Sequence, residues 1–455
     1  MSISNHDLPA DLLNWLETLG EGQLSRLERH VARREAWVVD VTAADGRVLE
    51  GFLRLDRQPV AGSNVSLRRE AGICRALMQT TIPVPALLGW NEAHHAALFS
   101  RVPGSADLPG VADKTQQRQV MEDFIDIIAR LHRLDPDELA LDDLLGPRPG
   151  SAAEAALGDL DTQLQQFAGF LADYEDPLLS YGVDWLRRFV PQSVARVSLV
   201  QGDTGPVNFM FAENRVTAVV DWEWGHWGDP MEDLGNICVR EFWNPSGGLQ
   251  GLFHRYEAES GIPYTRAAAQ YYRIQQNVRG MIPIHAACAQ PGLRESMAWY
   301  LCYRYVGDRS TCEALAAAMG IALERPALPD TEDRPNSALL RAAATSLQRD
   351  VLPDLQTPFA RSRLGDAQVL IDCAEREHRY GDAIRAANAA DIARLLGQQP
   401  TDYAHARTRL LDAMHERRIA DEPLLQYLAR KAWRDEWLYQ PAASLYPARN
   451  WSALD

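Results

Sequence analysis

Lysine is almost absent from this chain of 455 residues. Only Lys114 and Lys431 occur, so nearly all of the 46 basic residues are arginines. This excess of arginine over lysine is typical of codon bias in a genome. It still limits the chemistry, because a mechanism that needs a lysine amine has only two candidate residues. No stretch matches G-x-x-x-x-G-K-[ST], which excludes a P-loop.

Other absences restrict the class of protein. No run of about 18 apolar residues occurs, so no membrane span is predicted. The first residues lack a basic start followed by an apolar stretch, so no signal peptide is expected, and the cytoplasm is predicted by elimination. The six cysteines show no CxxC spacing, which argues against a disulfide framework or a zinc site.

Acidic residues outnumber basic ones by 62 to 46, which gives a formal net charge of −16. The negative electrostatic potential of such a chain repels phosphate backbones, so nucleic acid and anionic membranes are not expected as partners. A small anionic substrate would need local arginines or metal ions. Hydrophobic residues make up 46% of the chain, enough to build folded domains and to exclude wholesale disorder.

The apolar pattern changes along the chain and predicts an α+β protein. Residues 8–30 read as helical, and residues 30–104 read as a small, mostly antiparallel sheet with one inserted helix. Asp45-Gly46 is a strong hairpin signal between two of the strands. The predicted division is a lobe over 1–104, a mainly helical lobe over 105–325, a Pro-rich charged linker over 326–337 and a helical region over 338–455.

The most informative segment is Q-G-D-T-G-P-V-N, residues 201–208, followed by V-V-D-W-E-W-G-H-W-G-D-P-M-E-D-L. Asp203 and Asn208 lie five positions apart on a predicted loop between strands, and Asp221 follows an apolar strand. A lone Asp in such a loop is usually a turn former or a cap. The whole pattern instead favours phosphoryl transfer, in which a carboxylate orients a hydroxyl while an amide oxygen and a second carboxylate hold Mg²⁺.

The segment resembles the aminoglycoside phosphotransferase, or choline-kinase-like, family, whose signature is H-G-D-x-x-x-x-N followed by I-D-W-E and G-D-P-x-x-D-L. The stretches L-F-S-R-V-P-G (98–104) and I-A-R-L-H-R-L-D (128–135) are similar to the family's hinge and to its L-x-x-L-H helix. The resemblance covers roughly residues 20–320. It implies a two-lobed protein-kinase-like fold, with residues 1–104 as the nucleotide-binding lobe and 105–325 as the catalytic lobe.

The resemblance also implies roles for single residues. Asp203 would be the catalytic base, and Asn208 and Asp221 would be the Mg²⁺ ligands. Glu70 stands where the family places the glutamate that pairs with a phosphate-binding lysine. Arg54 stands at that lysine's position on a strand, so Arg54 would bind the phosphates of ATP with Glu70 beside it.

Two departures from the family pattern bear on nucleotide binding. Gln201 replaces the motif histidine, and a glutamine side chain can both donate and accept hydrogen bonds in its place. The loop that covers the phosphates is expected before or at Ala32–Ala36, a segment that contains no glycine. Arg33 and Arg34 are either phosphate contacts or part of a solvated turn. For Asp229 and Asp233, a role in capping a helix or stapling a loop is favoured.

The region after residue 336 resembles an uncharacterised helical domain found after such kinases. Its helices are expected to dock on the kinase lobe or, by self-association, on another subunit. The strand that carries Arg54 resembles kinase domains associated with acyl-CoA dehydrogenases, for which a hydroxy acid or hydroxyacyl substrate is one option.

Two functions remain open at this stage. The first is an ATP- and Mg²⁺-dependent kinase acting on a hydroxyl of a small molecule. The second is a pseudokinase that binds a nucleotide or a protein partner and scaffolds through its C-terminal helices. The missing lysine, the glycine-free loop and Gln201 favour the second, whereas Asp203, Asn208 and Asp221 favour the first.

Overall fold

The computed structural model describes residues 8–30, 35–56, 66–291, 296–330, 337–399, 401–446, 449 and 451–455. The chain divides into two compact units. The first unit comprises Met1–Thr162, Pro191–Ala269 and Ala448–Asp455, and the second comprises Gln163–Val190 and Gln270–Pro447.

The first unit begins with α1 (Ala10–Leu19), β1 (Gly22–His30), β2 (Ala36–Ala43), β3 (Val48–Leu55), α2 (Leu67–Leu77), β4 (Leu87–Asn91) and β5 (Ala96–Ser100). The five strands form an antiparallel sheet of order β1-β2-β3-β5-β4. Asp45 and Gly46 lie in the turn between β2 and β3, as the sequence predicts. The core of this region joins α1 to the sheet, because Leu12 and Leu16 pack in one apolar cluster with Val39, Val41 and Leu53.

The prediction of one helix over residues 8–30 is wrong in its second half, because α1 ends at Leu19 and β1 begins at Gly22. A register shift between Leu24 and Arg26 marks a bulge against β2. The bulge lets Leu24 and Leu27, three positions apart, both pack against the core. Their spacing therefore imitates a helix although the backbone is extended.

The rest of the first unit combines helices with two short antiparallel pairs, β6 with β9 and β7 with β8. Its elements are α3 (Lys114–Arg133), α4 (Pro136–Leu139), α5 (Asp142–Leu145), β6 (Ser198–Val200), β7 (Phe209–Ala212), β8 (Arg215–Val219), β9 (His226–Gly228), α9 (Met231–Trp243) and α10 (Leu252–Ser260). Phe124 of α3 packs on Phe209 of β7, with ring centroids 4.4 Å apart, so α3 supports the strand pair. A 3-10 turn over Trp222–Trp224 joins β8 to β9.

The described part of the second unit is helical. Its helices are α7 (Ala168–Asp173), α8 (Pro177–Arg188), α12 (Met297–Met319), α13 (Ser337–Ser346), α14 (Pro358–Leu396), α15 (Tyr403–His415), α16 (Asp421–Leu438) and α17 (Gln440–Ala443), while α6 (Ala152–Gln166) and α11 (Arg266–Ala289) contribute residues to both units. Buried polar pairs connect them: Arg434 of α16 donates to Asp391 and Asn388 of α14 at 2.7 and 2.8 Å.

The predicted α+β class is confirmed, with the main sheet near the start of the chain and helices in the last 120 residues. The division into domains stays a prediction. Helices from both sides of the predicted linker, α12 and α16, pack together in the second unit, and residues 331–336 of that linker lie outside the described residues.

Candidate active site

The loop that carries Asp203 connects β6 to β7 and depends on two glycines. Gly202 has a φ of 79° and Gly205 a φ of 139°, a region that other L-residues rarely adopt. A Cβ atom on Gly202 would also lie 2.5 Å from the carbonyl oxygen of Trp224. The glycines on both sides of Asp203 therefore permit the close turn that presents its carboxylate.

The carboxylate of Asp203 is held from two directions. Arg240 of α9 grips both oxygens, with Nε donating to Oδ1 at 3.0 Å and Nη2 donating to Oδ2. Asn208 Nδ2 donates to Oδ2 and to the backbone oxygen of Asp203, both at 2.7 Å. The side chains of Asp203 and Arg240 are 25% and 20% exposed to solvent, so a ligand can reach this pair.

Asp233 of α9 binds the backbone of the loop that carries Asp203. Its buried carboxylate accepts hydrogen bonds from the backbone nitrogens of Gln201 and Gly202, both at 2.9 Å, and from the Thr204 hydroxyl. His132 Nε2 lies 3.0 Å from its Oδ2. Burial raises the pKa of the Asp233 carboxyl, but His132 and these hydrogen bonds outweigh it and hold the pKa below its usual range.

Gln201 connects the Asp203 loop to the end of β8. Its Oε1 accepts from the backbone nitrogen of Asp203 at 2.8 Å. Its Nε2 donates to the carbonyl oxygens of Val220 and Asp221 at 3.0 and 2.9 Å. The glutamine that replaces the motif histidine thus donates and accepts, as predicted, and it ties together the two backbone segments that carry the candidate carboxylates.

Arg54 lies at the centre of a carboxylate cluster. Its Nη1 donates to both oxygens of Glu70 at 2.7 and 2.6 Å and to Asp221 Oδ1 at 3.2 Å. Its Nη2 lies 3.7 Å from Glu223 Oε2. Arg54 thus points from β3 toward Glu70, the residue expected beside it, and it also meets Asp221.

The electrostatics of this cluster fix the charge of Arg54. Burial disfavours the charged guanidinium, but the nearby carboxylates of Glu70, Asp221 and Glu223 raise the pKa of Arg54 above its usual value. Only 16% of its side chain is exposed, against 5% for Glu70 and 1% for Glu223. Arg54 therefore remains a fixed positive charge beside Asp221.

Asp221 has an uncommon backbone conformation. Its φ and ψ of 62° and 56° place it in the left-handed region, which a non-glycine residue seldom occupies without support from its surroundings. The support comes from Gln201, which binds its carbonyl oxygen, and from Arg54, which binds its carboxylate. Two residues of the candidate site therefore hold Asp221 in this conformation at the end of β8.

The donor atoms present suit Mg²⁺. The amide nitrogen of Asn208 is engaged by Asp203, so its amide oxygen is the atom that it can offer to a cation. Asp221 offers a carboxylate oxygen, and Mg²⁺ prefers such hard ligands and keeps several waters. In the part of the chain that the structure describes, no group of three or more His, Cys, Asp or Glu side chains is placed to hold a metal ion.

The predicted site residues thus lie in two neighbouring clusters, Asp203 with Asn208 and Arg54 with Glu70 and Asp221, joined through Gln201. The two predicted Mg²⁺ ligands, Asn208 and Asp221, belong to different clusters. Their roles stay predictions. The capping and stapling roles are confirmed, because Asp229 Oδ1 accepts from the nitrogen of Met231 at the start of α9 and Asp233 holds the Asp203 loop. Of the phosphate loop expected at Ala32–Ala36, residues 32–34, including Arg33 and Arg34, lie outside the described residues.

Sequence reasoning missed Arg240 and Glu223 as members of these clusters. Glu223 stands within the quoted V-D-W-E stretch, so its position beside Asp221 was the available signal. Arg240 lies 37 positions after Asp203, and in a chain this rich in arginine no local spacing distinguishes it. The six cysteines all lie in the described residues, and none of them forms a disulfide there.

Comparison with known proteins gives the family. The profile of the phosphotransferase enzyme family matches residues 27–271, more than half of the chain. The acyl-CoA dehydrogenase family member 11 of Rattus norvegicus is 25% identical over 226 residues, which cover 47% of this chain and 28% of that protein. Family member 10 of Mus musculus is 25% identical over 232 residues, 48% of this chain and 21% of that protein. The chain spans less than a third of the length of these relatives.

A solved structure supports the fold. A candidate aminoglycoside phosphotransferase from Ralstonia eutropha is similar with a TM-score of 0.53 and 21% identity, over 68% of this chain and 98% of the other. The predicted two-lobed kinase-like fold, followed by further helices, is thereby confirmed. Among the described residues, no helix is both long and apolar enough to span a bilayer. The site geometry, the matched profile and the fold agree, and this chain belongs to the phosphotransferase enzyme family.

Proposed function

We propose that this protein is an ATP- and Mg²⁺-dependent kinase that transfers the γ-phosphoryl group of ATP to a hydroxyl of a small molecule. The observation that carries the proposal is that Gln201 connects Asp203 to Asp221. Asn208 donates a hydrogen bond to Asp203, and Arg54 donates one to Asp221. Phosphoryl transfer needs a positioned base and fixed charges at the phosphates, and these two clusters supply both.

In the proposed step, Asp203 orients the acceptor hydroxyl and accepts its proton. The hydroxyl oxygen forms a bond to the γ-phosphorus while the bond from that phosphorus to the bridging oxygen breaks, and the electron pair leaves with ADP. Bound Mg²⁺, held by Asn208 and Asp221, would neutralise charge on the phosphates. Most of the rate enhancement would come from positioning and charge rather than from covalent chemistry.

Arg54 and Glu70 are proposed to serve the nucleotide. A guanidinium presents several N–H groups in one plane, so Arg54 can donate to Glu70 and still meet a phosphate oxygen. Glu70 is nearly buried and fixes the direction of the guanidinium. The fixed charge of Arg54 would replace the ammonium that a lysine supplies.

The test is turnover of Mg-ATP with a panel of hydroxyl compounds, comparing the wild type with Asp203→Asn. The asparagine keeps the size of the side chain but cannot take the proton, so the rate should fall by about 10² to 10⁴-fold. Asp137→Asn is the matched control, because that carboxylate is 81% exposed and bound only at the surface. Equal turnover by wild type and Asp203→Asn would refute the role of Asp203.

A pseudokinase remains the second candidate, and Arg54 is the observation that favours it. An arginine bound to Glu70 and Asp221 could fill a nucleotide site rather than serve it. A pseudokinase would bind Mg-ATP or a protein partner without turnover on any hydroxyl compound, so the same assay decides between the two functions.

We also propose that the protein lies in the cytoplasm and that it self-associates through its C-terminal helices. The mass of the purified protein in solution measures the self-association.

A further inference from the structure

Residues 451–455 belong to the first unit, although in the chain they follow the last helix of the second. We propose that they are a built-in docking segment, which binds the last turn of α9 and thereby keeps Arg240 on Asp203, the proposed base. The partner that this surface of α9 fits is thus a segment of the same chain. The inference goes beyond the proposed function, because it concerns what holds the site in place rather than the reaction.

The first contact of the docking segment is aromatic. The ring of Trp451 packs on Phe242 of α9, with ring centroids 4.7 Å apart and an angle of 40° between the ring planes. Phe242 is fully buried, and Leu454 of the docking segment is buried as well. Removing these apolar side chains from water favours docking, and aromatic pairs add a preference for a defined geometry.

The second contact is a hydrogen bond to a buried carboxylate. Glu241, next to Arg240 in sequence, accepts from the backbone nitrogens of Ser246 and Gly248 at 2.7 and 2.8 Å and from the Ser246 hydroxyl. The hydroxyl of Ser452 donates to its Oε1 at 3.4 Å. Four donors therefore meet the four lone-pair sites of this carboxylate, and the docking segment supplies one of them.

The third contact lies at the start of α10. The Asp455 carboxylate accepts from the backbone nitrogen of Gly251, the residue before that helix. Its backbone oxygen accepts from the Tyr264 hydroxyl at 3.5 Å. The positive end of the helix dipole favours a carboxylate at this position. The docking segment is therefore held along its length, by α9 at one end and by the start of α10 at the other.

The last turn of α9, residues 240–243, connects this docking surface to the candidate site. Helix ends open more readily than helix centres, and the contacts of the docking segment with Glu241 and Phe242 oppose such opening. The guanidinium of Arg240 meets both oxygens of Asp203. An open last turn would therefore release the proposed base from one of the two side chains that hold it.

The experiment compares the wild type with a variant that carries both Trp451→Ala and Leu454→Ala. Trp451→Phe keeps an aromatic ring and is the conservative variant. Ala453→Ser is the matched control, because Ala453 lies in the same segment and is exposed. Hydrogen exchange of the backbone amides is measured over residues 240–251 and 201–208. On the same samples, kcat and KM are measured with Mg-ATP and a hydroxyl compound that the wild type phosphorylates.

The double variant should exchange about 10-fold faster or more in both segments, since it loses the apolar contacts that close the last turn of α9. Exchange in β2 and β3 should stay as in the wild type. The kcat should fall by about 10- to 100-fold, because a misplacement of about 1 Å can cost that much, while the KM for ATP should not change. Trp451→Phe should keep most of the activity, and Ala453→Ser should keep all of it.

Several results would overturn the inference while leaving the kinase intact. Unchanged exchange over residues 240–251 would mean that the segment does not hold α9. Faster exchange there with unchanged exchange over 201–208, or with unchanged kcat, would break the connection to Asp203. Equally faster exchange throughout the chain would indicate general stability instead. If the wild type phosphorylates no hydroxyl compound, the proposed function fails, and the exchange of the two segments alone decides the inference.

Discussion

Replacing Arg54 by alanine removes the cation that Glu70, Asp221 and Glu223 share. The guanidinium is largely buried and meets Glu70 at 2.6 Å. Removing one partner of such a buried pair typically costs about 3–5 kcal/mol of unfolding free energy, because the carboxylates stay behind in a poorly solvated place. Arg54→Ala should therefore lower stability, in addition to lowering ATP use by about 10- to 100-fold through loss of a charge-assisted contact.

The two effects of Arg54→Ala can be separated by a second change. In Arg54→Ala with Glu70→Gln, the buried negative charge of Glu70 is also removed, so part of the unfolding free energy should return. ATP use should not return if Arg54 contacts the phosphates, because no cation takes its place. Arg54→Lys should restore ATP use only in part, since an ammonium lacks the planar fork and has a shorter reach.

Urea unfolding and calorimetric titration with Mg-ATP measure the two effects on the same samples. Arg47→Ala is the matched control, because Arg47 lies just before β3 and is 70% exposed in its ion pairs with Glu21 and Asp45. Its loss should change stability by less than about 1 kcal/mol. Full ATP binding by a folded Arg54→Ala variant, or recovery of ATP binding in the double variant, would refute the phosphate contact.

Three further predictions concern the loop anchors and the chain's organisation. Asp221→Ala should abolish Mg²⁺-dependent nucleotide binding in a folded protein, and unchanged Mg-ATP affinity by calorimetry would count against Asp221 as a ligand. Because the pKa of Asp233 is lowered, its carboxylate stabilises the fold fully above the unfolded-state pKa near 3.8, and this stabilisation is lost as the pH falls through the folded-state pKa. Asp233→Asn should therefore be clearly less stable than the wild type at pH 7, and the difference in unfolding free energy should narrow below about pH 4. A difference that does not depend on pH would contradict this. Limited proteolysis should cut first between Glu324 and Ser337, and resistance there would move the domain boundary.

The candidate site was predictable where its residues lie close together in sequence. The five-position spacing of Asp203 and Asn208 and the strand before Asp221 are local features, and the glycines around Asp203 show that the loop needs an unusual backbone. Arg54 was predictable from the family resemblance, because it stands at the strand position of the phosphate-binding lysine and no lysine precedes Lys114. These predictions rested on short-range pattern, on a known chemical requirement and on the resemblance to the family.

The parts that were missed depend on long-range packing or on irregular backbone. A bulge in β1 brings Leu24 and Leu27 to one face, and a pattern of apolar residues cannot distinguish that from a helical turn. The grip of Arg240 on Asp203 joins two distant segments through the fold.

The arginine at position 54 has a consequence for chemical biology. Reagents that carry a reactive acyl group on ATP label kinases by acylating an amine in the nucleotide site, and a guanidinium that stays protonated does not react in this way. Arg54 is also beyond the reach of enzymes that acetylate lysine, so the charge beside Asp221 cannot be switched off by that modification. If Arg54 stands in for the lysine of the nucleotide site as proposed, a survey that relies on acylating that amine would not label this position.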